Sequence, residues 1–93
     1  MKKARWAHRT PDDTNVVVVN WRDIRSEPAW ETDSDADVRP CRNLYTTGWL
    51  LHDGPDPEEP GSEIVVIAGT YDREDKTWAE FTVFPKAVIK GVH

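Results

Sequence analysis

The closing stretch, Trp78 to His93, reads W-A-E-F-T-V-F-P-K-A-V-I-K-G-V-H. Trp78 to Phe84 is rich in aromatic and β-branched residues and has the composition of a strand. Pro85 cannot donate a ladder hydrogen bond, so pairing must stop or shift there. Lys86 to Val92 then resumes as a short apolar segment that opens with a helical turn. The stretch predicts a strand, a forced break and a last short strand that closes a small barrel. Phe81, Val83, Val88 and Ile89 are the expected core positions, with Glu80 and Thr82 facing away.

Three earlier segments supply the remaining strands. Asn15 to Ile24 (N-V-V-V-V-N-W-R-D-I) carries four consecutive valines, stiff at χ1 and suited to extended backbone. Val17, Val19 and Trp21 fall on one face, Asn20 and Arg22 on the other. Cys41 to Asp53 holds Gly48 in its interior, which marks a bend or a close backbone approach. Such a glycine lets one long strand serve two faces. Ser62 to Tyr71 (S-E-I-V-V-I-A-G-T-Y) is apolar on both faces. No segment has helical periodicity and length, so the chain reads as all-β, with four to five antiparallel strands in a small barrel.

The 93 residues suffice for one domain. Residues 1–14 form a flexible basic N-terminal arm, and residues 15–93 a single small β-barrel domain. Five Trp in so short a chain provide large buried areas for a small core. The single cysteine, Cys41, excludes an intramolecular disulfide and suits a reducing, cytoplasmic setting. No apolar run approaches the length of a membrane span. The net charge of −5 argues against nucleic acid as a partner, since phosphate binding draws on a basic excess.

Chemistry is sparse in the pattern. Asp33, Asp35 and Asp37 alternate like the start of a calcium loop, but Val38 and Leu44 stand where glycine and glutamate are needed. His52 and Asp53 are adjacent, so on a strand they point to opposite faces and make a poor acid–base couple. No nucleophile motif and no phosphate-cradling glycine loop is present. The residues point away from catalysis and require no cofactor or metal.

Binding residues are easier to nominate. Trp30 lies in the polar loop from Arg25 to Pro40, either folded back onto the core or displayed as a contact anchor. Trp6 sits in the basic arm. With Arg25, Arg39 and Arg42 these residues form the expected protein-binding set.

Two pieces carry a family resemblance. Tyr45-Thr-Thr-Gly-Trp-Leu-Leu-His-Asp53 is similar to the Sm/Lsm strand in which a bending glycine precedes an apolar residue and the strand ends at aspartate. Thr82 to Val92 is similar to the closing pair of strands. The resemblance implies an SH3-like or Sm-like barrel. It does not bring RNA-contact residues with it, because a proline-rich acidic loop follows Asp53 and Phe84-Pro85-Lys86 occupies the closing motif. The Trp-Arg-Asp-Ile, Thr-Gly-Trp-Leu and Phe-Pro-Lys-Ala-Val-Ile pieces also resemble small accessory proteins of tailed phages, especially those infecting actinobacteria. That resemblance implies a compact module binding a host protein in the host cytoplasm. An Sm-like oligomer binding RNA or a nucleotide is the alternative, and a homo-oligomer, dimer or ring, is compatible with either.

Overall fold

The computed structural model describes residues 9–23 and 42–93. Five strands follow in chain order: β1 (Val16–Asp23), β2 (Arg42–Pro55), β3 (Glu63–Asp72), β4 (Thr77–Pro85) and β5 (Ile89–Val92). Short 3-10 turns at Asp13–Asn15 and Lys86–Val88 precede β1 and β5. All neighbours are antiparallel, and the order across the single sheet is β4-β3-β2-β1-β5. The chain is therefore all-β over its described residues. No helix among them is long and apolar enough to cross a membrane. The edge strands β4 and β5 do not pair with each other, so the sheet is open.

Gly48 determines how β2 is shared. The 14-residue strand pairs with β1 from Arg42 to Trp49 and with β3 from Trp49 to Pro55. At the changeover the Gly48 backbone lies so close to β3 that a Cβ there would sit 2.7 Å from the Ala68 carbonyl oxygen. Only a residue without a side chain permits that approach. A bulge follows between Leu50 and His52, and increases the local twist.

The result is a strongly curled sheet with an apolar cluster on each face. The inner cluster is built on Val19, Val65, Ile67 and Phe84, with Val17, Trp21, Leu50, Ile89 and Val92 around it. All five strands contribute. Trp21 of β1 meets Phe84 of β4 at a ring-centroid distance of 5.3 Å. In a flat sheet those two strands, three steps apart, would be separated by about 14 Å. The Trp21 indole N–H also donates to the Thr46 hydroxyl at 2.8 Å, which satisfies the polar edge of a part-buried ring. The outer cluster contains Leu51, Ile64, Val66, Ala68 and Trp78, flanked by Trp49 and Tyr71. The two-faced apolar pattern of β3 thus feeds both clusters, Val65 and Ile67 inward, Ile64, Val66 and Ala68 outward.

The proline break holds, but two expected core positions do not. After Pro85 the chain makes the 3-10 turn at Lys86–Val88, and β5 pairs with β1 rather than with β4. Phe81 and Val83 are 48% and 56% exposed. The cause lies at Glu80, whose φ of 59° puts it in the left-handed region and turns the strand over. Trp78 consequently joins the outer cluster and Phe84 the inner one, although simple alternation would place both on one face. Phe81 and Val83 pair with Ala68 and Val66 on the outer face of an edge strand, where burial ends. Val88 and Ile89 are half-buried.

Candidate protein-binding groove

The outer face is where side chains of functional character gather. Antiparallel pairing sets Tyr71 directly across from Trp78, and Trp49 across from Ala68 on the adjoining row. Their rings form a continuous aromatic cluster. The centroids of Tyr71 and Trp78 are 4.7 Å apart and those of Trp49 and Trp78 are 5.7 Å apart, each pair tilted by 59°. Tilted contacts of this kind are favoured over flat sandwiches by the ring quadrupoles.

Residues preceding β1 pass over one side of this cluster. The Trp78 indole N–H donates to the Arg9 carbonyl at 3.2 Å. Asp12 caps the 3-10 turn, accepting from the Thr14 backbone N–H at 2.9 Å and the Thr14 hydroxyl at 2.8 Å. Those two bonds, the backbone one foremost, lower the Asp12 pKa below the ordinary carboxylate value. A small cavity of about 140 Å³ remains under the segment, between Arg9, Thr10, Asp12 and Asn15 on one side and Trp49, Leu51 and Trp78 on the other.

Beside it opens a larger groove of about 630 Å³, lined by Thr10, Pro11, Trp49, Tyr71, Arg73 and Lys76. Its floor is aromatic and its rim is cationic. The two cations come from the turn between β3 and β4, which Asp72 organises by accepting the Glu74 and Asp75 backbone N–H groups at 2.9 and 3.1 Å. Lys76 completes that turn at φ 56°. The Trp49 indole nitrogen is buried and has no hydrogen-bond partner among the described residues. A buried donor left unsatisfied costs free energy.

Lys86 and His52 have local partners, whereas the Asn20 Oδ1 of β1 is buried without one among the described residues. Lys86 reaches Asp53 at 2.6 Å and Glu63 at 3.0 Å, and these carboxylates, Asp53 first, raise its pKa above the ordinary lysine value. The His52 Nε2–H donates to the Pro55 carbonyl at 2.7 Å, and the Asp53 carboxylate bonds to Lys86.

Of the nominated binding residues, Trp6, Arg25, Trp30 and Arg39 lie outside the described residues. Arg42 is exposed at the first position of β2, opposite Asp23 of β1. The linear pattern of residues does not announce the groove. Trp49, Tyr71 and Trp78 belong to three different strands, and only the pairing register brings them together. Comparison with known proteins finds no match to a family model, to a curated protein or to a solved structure.

Proposed function

We propose that this protein is a non-enzymatic binding module, an SH3-like small barrel whose aromatic groove takes a segment of a protein partner. The barrel reading draws support from the curl that brings Trp21 against Phe84, from β2 shared about Gly48, and from the 3-10 turn between β4 and β5. The groove carries the functional reading. A floor of Trp49 and Tyr71 with Arg73 at its rim brings together the residue types enriched in binding hot spots, and Lys76 adds a second cation. The resemblance to tailed-phage accessory modules makes a host protein the partner class to test first.

Replacing Arg73 and Lys76 with glutamate reverses the rim without touching the buried rings. Affinity capture from host lysate, compared between wild type and the Arg73→Glu/Lys76→Glu chain, should show a specific partner lost from the variant. Equal recovery of every captured protein by both chains excludes the groove as the docking site.

A further inference from the structure

We infer that the groove also accepts the acidic, proline-rich loop of a second copy of this chain, so that the protein associates with itself through unlike ends. The inference rests on the docking role proposed for the groove. The loop joins β2 to β3 and reads Asp56-Pro-Glu-Glu-Pro-Gly-Ser62, with Pro57 to Gly61 all exposed. Its shape is fixed from within. The Asp56 N–H donates to the Ser62 carbonyl at 2.9 Å, the Ser62 N–H to the Glu59 carbonyl at 3.2 Å, and the Glu58 N–H to the Asp56 carboxylate at 2.9 Å. A loop already tied into one conformation loses little freedom on docking.

The two surfaces are chemically matched. Proline rings pack well against aromatic floors, the basis of proline-rich recognition, and Trp49 and Tyr71 supply such a floor. Glutamates are met by cations, and Arg73 and Lys76 stand at the rim. The same turn also bears Asp72, Glu74 and Asp75, but none of these lines the groove, and Asp72 is engaged by backbone N–H groups.

Geometry requires the loop to come from another molecule. The loop leads into β3 at Glu63, and β3 ends at Asp72 beside the groove. Nine steps of about 3.4 Å put roughly 30 Å of strand between the loop and the Asp72 end, and the loop's own hydrogen bonds keep it folded on itself, so the cationic rim is beyond the reach of the chain's own loop. The net charge of −5 adds a general repulsion between copies, which places the association at the weak, concentration-dependent end.

Sedimentation velocity on the full chain at low salt, from micromolar to millimolar, tests this. The expected result is a mass that rises with concentration. Arg73→Glu/Lys76→Glu and Glu58→Lys/Glu59→Lys should each weaken association by about tenfold or more, because each sets like charges against one another. An equimolar mixture of the two variants should regain it, since every groove then meets a loop of opposite charge. Restoration also excludes misfolding, because a misfolded chain has no groove or loop to contribute. A monomeric mass throughout, or self-association indifferent to both reversals, overturns the inference. If the chain is monomeric while Arg73→Glu/Lys76→Glu still abolishes capture of a host protein, the groove stands as a docking site and only self-association falls.

Discussion

Gly48 is the residue on which the sheet depends most. Its absent side chain lets β2 leave β1 and take up β3 within one peptide, and a Cβ there would meet the Ala68 backbone rather than a movable side chain. Overpacking against backbone in a folded core costs typically about 1–3 kcal/mol. Gly48→Ala should therefore lower the unfolding free energy by an amount in that range, read as a lower urea midpoint with the m-value unchanged. Gly61 makes the useful contrast. No atom of the described residues lies within 4 Å of the position its Cβ would take, and its φ of 93° makes the cost of substitution there one of backbone strain alone. Gly48 is legible as a bend because glycine inside an apolar strand weakens it and is kept where backbones approach or turn. Glu80 is not legible, because a glutamate in the left-handed region carries no mark in the sequence.

That single residue separates what can be read at the level of elements from what cannot. All five strands follow from β-branched and aromatic runs bounded by turn residues, and Pro85 announces the break before β5. Facing is harder. Alternation through β4 predicts Phe81 and Val83 buried, and the reversal at Glu80 buries Trp78 and Phe84 instead. The groove is hidden for a related reason: Trp49, Tyr71 and Trp78 are distant in sequence and become neighbours through register, which a linear pattern does not encode. The exposed pair on β4 has a consequence for handling the protein. Edge strands with apolar side chains recruit other strands. Phe81→Thr with Val83→Thr should change unfolding free energy by no more than about 0.5 kcal/mol per site, as for other surface substitutions. The same double change should slow aggregation on heating, measured by light scattering. A much larger loss of stability would mean that this face is covered.

For the molecule as a whole, an ionic contact ties the turn between β4 and β5 to β2, a strand that pairs with neither. Lys86, in the turn between β4 and β5, bonds to Asp53 of β2 and Glu63 of β3. Its folded-state pKa is raised, so the stabilisation it provides is fully present below the ordinary lysine value and is lost as pH climbs through the raised one. Unfolding midpoints of wild type and Lys86→Met should thus differ most near neutral pH and converge in strongly alkaline solution. A constant gap across that range would mean that the side chain contributes through packing rather than charge. The groove and the acidic loop, at opposite ends of β3, give the molecule two chemically unlike poles, and the proposed partner and the second copy compete for one of them.

The pairing of β1 with β5 extends beyond Val92, for Val18 and His93 exchange both backbone hydrogen bonds at 2.9 Å. These two strands are neighbours in the sheet yet lie at opposite ends of the run of strands, with β2, β3 and β4 between them in sequence. The hairpins β2–β3 and β3–β4 close short loops and can form early, whereas β1 and β5 must find each other across a long stretch of chain. That distant search is the step expected to limit the folding rate, so strengthening either hairpin turn should raise stability while leaving the refolding rate measured by stopped flow unchanged.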